Sequence, residues 1–161
     1  FVFSCFTGLA YADVKKLKRC EIERNENSYW IKTKRQKTGG RANVPLLGVP
    51  MQIINKYVEL DLLEAEDQVL PVLSNQKMNS YLKEIADFCG ITKKLSYHVA
   101  RHTFATTLTM MNGVPIESVS KMLGHKNITS TQHYARIVDK KVGEDMERLS
   151  SKIGSRLAMS F

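Results

Sequence analysis

The chain is 161 residues long, with a formal net charge of +8 and a sequence pI near 9.4. That length suits one ordinary domain able to bury roughly 70% of its unfolded surface, and no internal repeat or low-complexity segment interrupts it. The cationic excess gathers at 15–19, 32–37, 93–94 and 140–141; it suits a plain solubilising surface, but it also implies an anionic partner, of which nucleic acid is the usual one.

Cys5, Cys20 and Cys89 are an odd number at spacings that match no zinc knuckle, so reduced thiols in a cytosolic protein are expected. No basic segment precedes the apolar FVFSCF, and no apolar run approaches the roughly 20 residues of a spanning helix. A soluble, cytoplasmic protein with no membrane partner is expected. Residue 1 is a Phe inside an apolar helical run rather than an initiator Met. The chain is therefore read as a single domain, 1–161, excised from a protein with one or more further N-terminal modules.

FVFSCF should form a helix that stops at Thr7-Gly8, and AYADVKKL resumes with Val14 and Leu17 on one side, giving a broken helix with an exposed basic second half. In EIERNENSYWIKTKRQK and RANVPL, β-branched and aromatic residues alternate with polar ones around turn clusters at Arg24 to Asn27 and Gly39-Gly40. This predicts a small three-stranded antiparallel sheet. From Pro50 the period is helical, with Ile53, Ile54, Tyr57 and Val58 in one stripe. After a VLPVL connector, Met78, Leu82, Ile85, Ala86 and Cys89 make a second stripe, closed by Gly90. A helix over 98–111 places Phe104, Leu108 and Met111 on one face and His98 and Arg101 on another, because residues three or four apart share a side. Pro115 starts a short helix with Ile116, Val119 and Leu123 inward; Gly124 ends it, and a polar helical segment carries Tyr134. Val142, Met146, Leu149 and Ile153 form a final stripe among charged residues, suited to packing on its own domain or on a neighbour. The expected fold class is mainly α with a small three-stranded antiparallel β-sheet, α+β.

The stretch from Leu95 to Tyr134 gathers groups that phosphate chemistry needs. His98 and Arg101 stand three apart, His125 follows a Leu-Gly stop, and Tyr134 comes nine residues later. Metal-free cutting of a phosphodiester requires a nucleophile, donors for the charge building on the non-bridging oxygens, and an acid for the departing oxygen. The chain has no Asp/Glu cluster suited to magnesium and no P-loop, so metal-assisted cutting and nucleotide hydrolysis lose support and no cofactor or metal is expected. His98 and His102 have the spacing of a zinc pair, but position 99 is Val rather than Glu and no third ligand is evident.

H-x-x-R-H-T-F-A-T (98–106), L-G-H (123–125) and the Tyr nine positions beyond His125 resemble the C-terminal catalytic domain of the tyrosine recombinase, or phage integrase, family. T-G-L-x-x-x-D (7–13) and K-T-G (37–39) running into V-P-L (44–46) extend the resemblance over nearly the whole chain, with transposon-borne integrases of gut anaerobes as the nearest subgroup. Each piece alone is ordinary; in this order and spacing they are specific. The resemblance implies the DNA breaking-rejoining catalytic core fold and a site-specific recombinase that needs no cofactor. It implies that Tyr134 attacks the scissile phosphate, forming a 3′-phosphotyrosyl link and freeing a 5′-hydroxyl, with His98 as base or proton relay. Lys37 at the hairpin tip would protonate the leaving oxygen, Arg101 would clamp the non-bridging oxygens, and His125 would donate a further hydrogen bond. Double-stranded DNA is then the partner, touched by Lys32, Lys34, Arg41 and Lys126. The C-terminal helix would be exchanged between protomers of a homo-oligomer.

One position departs from the family pattern: Ala10 stands where an arginine normally follows T-G-L. Losing such a donor costs on the order of 10²- to 10³-fold. Either the domain is inactive or another arginine has moved in. Arg35, two residues before Lys37 on what reads as the same strand, is the expected replacement, since a period of two points both side chains to one face. Arg41 is the reserve, and Asp13 is expected to orient a neighbouring cation. Two other functions compete: a non-catalytic helix-turn-helix DNA-binding module with 127–136 as recognition helix, and a type IB topoisomerase-like relaxing enzyme.

Overall fold

A computed structural model describes residues 1–26 and 28–135, together with 143, 146, 147, 149 and 150. In chain order the elements are α1 (Val2–Thr7), α2 (Tyr11–Lys15), β1 (Ile22–Asn25), β2 (Ser28–Lys34), β3 (Arg41–Leu46), α3 (Gly48–Tyr57), α4 (Asn75–Phe88), α5 (Tyr97–Thr103), α6 (Ile116–Met122) and α7 (Thr129–Ala135). The expected helical fold with one small sheet is what forms.

The break between α1 and α2 follows from Gly8, whose φ of 69° lets its N–H reach the Ser4 carbonyl at 2.9 Å. A Cβ there would also lie 2.5 Å from Phe104 Cδ1, so glycine is needed for space as well as for conformation. The sheet is antiparallel in the order β1-β2-β3, with Ile31 opposite Ile22 on one side and Val44 on the other. Its strict alternation buries Ile22, Ile31, Ala42 and Val44 and turns Lys32, Lys34 and Arg41 outward. α1 packs on α3 and α5, and α6 packs on β3 and α7. Phe3, Leu17, Ile31, Ile54, Phe104 and Leu123 belong to one apolar cluster beneath all of them.

Three stripes come out narrower than their period suggests. In α3, Ile54 is buried but Tyr57 is 55% exposed; in α4, Leu82 and Ala86 are buried while Ile85 is 52% exposed and Cys89 is exposed. α4 packs mainly on α5, and only Leu82 and Ala86 of this helix are buried. The helix expected over 98–111 is not uniform: α5 runs into a π-helical turn, Phe104–Thr109, and then a 3-10 turn, Met110–Asn112. The wider turn advances the phase by one residue, so Met110 is buried and Met111 is 58% exposed. Thr109 supports the turn with its hydroxyl against the Phe104 and Ala105 carbonyls, at 2.9 and 2.8 Å.

All three cysteines are free thiols. Among the described residues no helix is long and apolar enough to cross a membrane. Of the final stripe, Val142 and Ile153 lie outside the described residues; Met146 and Leu149 are 59% and 47% exposed.

Candidate active site

The first turn of α5 is fixed before any functional group is placed. Tyr97 is buried, its hydroxyl 2.8 Å from Ser4 Oγ, and its N–H donates to Asn79 Oδ1 at 2.8 Å. Burial pushes its phenol pKa up. Anchored in this way between α1 and α4, the helix holds His98 at the surface and buries Arg101 one turn later.

The Arg101 guanidinium donates to the carbonyls of Gly8 and Leu123 and to His125 Nε2, the last at 3.0 Å. Burial, and then the neighbouring Arg35, push its pKa down to about 10, with the Tyr134 phenol acting the other way. It stays charged at neutral pH, and the carbonyls take over the hydrogen bonds it loses to water. Arg35 reaches the same oxygen from the other side: its Nη1 donates to the Leu123 carbonyl at 2.9 Å. Its Nε lies 2.9 Å from Asp13 Oδ2, a charge contact too poorly aligned to count as a hydrogen bond for either atom. The other Asp13 oxygen accepts the Gln36 N–H at 2.8 Å.

β2 ends at Lys34, so Arg35 and Lys37 lie in a turn and not on the strand as expected. The Arg35 N–H donates to the Gly40 carbonyl at 2.9 Å, and the Gly39 N–H donates back to the Arg35 carbonyl at 2.8 Å; these close the hairpin instead of extending the ladder. The turn lies directly on the α6 stop. A Cβ on Gly40 would sit 2.3 Å from the Gly124 carbonyl oxygen, and one on Gly124 would sit 2.8 Å from Arg35 Cγ. This backbone-on-backbone approach carries Arg35 to Leu123. Both turn residues line one cleft of about 470 Å³ with Ala10, Asp13, His98 and Arg101. Arg35 thus shares a cleft with the position that lacks an arginine.

Tyr134, on α7, is only 6% exposed and does not line the cleft; its phenol lies beside Arg101. Its ring stands edge-on to His102 with centroids 4.9 Å apart and lies parallel to His125 at 6.3 Å. His102 in turn meets His98 at 4.8 Å, so aromatic rings run from the phenol to the cleft. His125 Nδ1 is 2.8 Å from Thr131 Oγ1. Burial, then Arg101 and Arg35, push the His125 pKa down to about 4. His102 is lowered too, by burial and then by His98, His133 and Arg101.

Lys32, Lys34 and Arg41 line a separate groove on the outer face of the sheet with Glu21. Lys32 pairs there with Glu23 at 2.5 Å, and Lys34 stands directly opposite Arg41. Lys126 is exposed beside His125. Among the described residues no group of three His, Cys, Asp or Glu could hold a metal ion. Sequence reasoning did not single out Thr131 or the Leu123 and Gly8 carbonyls, and it weighed His102 only as a zinc ligand. Only Thr131 left a trace, three residues before Tyr134 on one helical side.

Helices gathered round a hairpin sheet in this order define the fold of integrase catalytic domains. The catalytic domain of bacteriophage HP1 integrase matches it with a TM-score of 0.61 at 19% identity, over 89% of this chain and 76% of that one. XerH site-specific recombinase bound to a palindromic difH substrate matches with a TM-score of 0.69 at 18% identity, over 90% of this chain and 43% of that one. Residues 2–141 match the phage integrase family, and the chain belongs to it. A tyrosine recombinase of Thermosipho africanus is 28% identical over 151 residues, 88% of this chain and 51% of that protein. The tyrosine recombinase XerC of Rickettsia bellii is 30% identical over 101 residues, 58% of this chain and 32% of that protein. The chain therefore spans at most about half the length of these two relatives.

Proposed function

We propose that this chain is the catalytic domain of a site-specific DNA recombinase of a mobile element, cutting and rejoining double-stranded DNA without a metal through a 3′-phosphotyrosyl intermediate. The observation that carries this reading is the convergence of Arg101 and Arg35 on the Leu123 carbonyl, with the Tyr134 phenol beside Arg101. Two guanidinium groups brought together against one carboxylate, Asp13, favour an anion between them and the nucleophile.

Tyr134 attacks phosphorus, and its proton leaves towards His98 through the phosphate. Arg101 and Arg35 hold the non-bridging oxygens, with Arg35 standing in for the arginine absent at Ala10 and oriented by Asp13. His125 adds a hydrogen bond, and Lys37 protonates the departing 5′ oxygen. Reverse attack by a 5′-hydroxyl reseals the strand, since the phosphotyrosyl bond retains the energy of the one broken. Lys32, Lys34, Arg41 and Lys126 neutralise backbone phosphates; the Lys34–Arg41 pair, like charges face to face, is relieved by a polyanion. Further copies of the chain dock through 142–153, a reading supported by the exposed Met146 and Leu149. A helix-turn-helix module would leave the cleft without a use, and the family match lies with recombinases rather than relaxing enzymes.

The test is incubation with nicked suicide substrates of varied sequence in the presence of a chelator, followed by a denaturing gel. A covalent protein–DNA adduct from the parent and none from Tyr134→Phe are expected. Failure of the parent on every substrate, or an adduct from Tyr134→Phe, overturns the proposal.

A further inference from the structure

His125 is hydrogen-bonded through both ring nitrogens, and one of its partners leaves no choice of roles. Arg101 Nη2, 3.0 Å from Nε2, is a guanidinium nitrogen and only donates. Nε2 is therefore the acceptor and carries no proton. In the neutral ring the proton then sits on Nδ1, which donates it to Thr131 Oγ1 at 2.8 Å. Thr131 is 0% exposed, so no water competes for that contact. It stands one helical turn before Tyr134 on α7.

We infer that Thr131 is a positioning residue of this site: it accepts the Nδ1–H that Arg101 imposes on His125 and so fixes the ring's orientation, with Nε2 an acceptor at rest that becomes a donor to a phosphate oxygen only after gaining one proton. The inference rests on the recombinase reading for its phosphate but not for its tautomer. When an anion takes over the Arg101 fork, Nε2 loses its donor and picks up one proton from solvent; the imidazolium then donates Nε2–H to the anion and keeps Nδ1–H on Thr131. The same hydroxyl accepts in both states, and the α7 segment that carries the phenol stays tied to the ring throughout.

The groups facing His125 fit this sequence. Arg101 comes from α5 and Arg35 from the hairpin turn, both cationic, while α7 presents the Tyr134 ring and the Thr131 hydroxyl. Burial first, and then the two cations, keep the ring neutral at rest, and a bound anion offsets the cations.

The chain has four histidines, so long-range nitrogen–proton NMR spectra can be assigned from single His→Asn variants. In the parent, His125 is expected to be protonated at Nδ1 and bare at Nε2, and orthovanadate is expected to convert it to the doubly protonated ring. Thr131→Val, nearly isosteric, should keep Nε2 bare under Arg101 but shift the Nδ1 and Nδ1–H resonances as their acceptor is lost, and slow adduct formation roughly 10- to 100-fold with unchanged non-covalent DNA binding; Thr131→Ser should restore both the resonances and the rate. An Nε2–H ring in the free parent overturns the inference, as does a Thr131→Val protein that keeps the parent spectrum and rate. If the parent shows the Nδ1–H ring but never forms an adduct, the recombinase reading fails and the tautomer assignment stands.

Discussion

The helical wall of the cleft is held by side chains sunk into the core, whereas the hairpin wall is held by backbone laid against backbone. Arg101 is embedded: two main-chain carbonyls and an imidazole surround it, and its helix is pinned at Tyr97. Arg35 and Lys37 ride on a turn whose position depends on Gly40 meeting Gly124, with Asp13 as the one carboxylate holding it. The same kind of group, a guanidinium on the Leu123 carbonyl, is thus fixed by carbonyls and an imidazole on one wall and by a buried carboxylate on the other. The two walls should separate under mutation.

The largest effects are expected from Arg101→Ala and Arg35→Ala. Arg101→Ala strands the buried Gly8 carbonyl, at about 1–3 kcal/mol for an unsatisfied buried group, and lowers adduct formation by on the order of 10³-fold. Arg35→Ala should cost about 10²- to 10³-fold in adduct formation, and a lowered urea midpoint too, because it leaves the buried Asp13 carboxylate without its cation. An unchanged urea midpoint in Arg35→Ala would show that Asp13 does not depend on it. Cleavage by Arg35→Ala at the parent rate would remove it from the site and leave Ala10 uncompensated.

A smaller effect isolates the hairpin. Gly40→Ala drives a methyl group into the Gly124 carbonyl and must lift the turn, with a rate loss approaching 10²-fold expected. Gly39→Ala is the control: nothing lies within 4 Å, and only its φ of +66° is strained, so about 1 kcal/mol of stability should go with the rate nearly kept. If both variants cut alike, the contact between the two glycines has no part in placing Arg35.

The mildest contrast is with pH. His125, with a folded pKa near 4, and His102, lowered in the same direction, are held neutral by the fold. Their contribution to stability is complete above about pH 6.5, the unfolded value, and is lost as pH falls towards 4 because the unfolded chain binds protons first. His125→Asn should flatten the fall in urea midpoint across that window, whereas Lys37→Ala, on the hairpin wall, should leave it unchanged.

These walls were not equally legible beforehand. The sheet, the Gly8 and Gly124 stops and the start at Pro115 are local matters of period and backbone freedom, and they stand where the residues indicate. The strand reading ran on to Lys37 because alternation of side chains continues past Lys34 into the turn, where pairing rather than periodicity ends a strand. The helix stripes overreached at Tyr57 and Ile85 because period reports which residues share a side, not whether a neighbour covers it. The oxygen on which both arginines meet belongs to the main chain, so no residue type announces it. Thr131 hides in a polar helix, and only the ring it touches gives it a role.

The π-helical turn after α5 means that residues 104–109 hold one amino acid more than a straight helix of equal rise. Loss of that one amino acid would change neither charge nor apolar content in any way a composition could flag. It would nevertheless clock everything N-terminal to it by about 100° about the helix axis, swinging the imidazole and guanidinium of α5 away from their partners. Length is therefore the quantity this helix can least afford to vary.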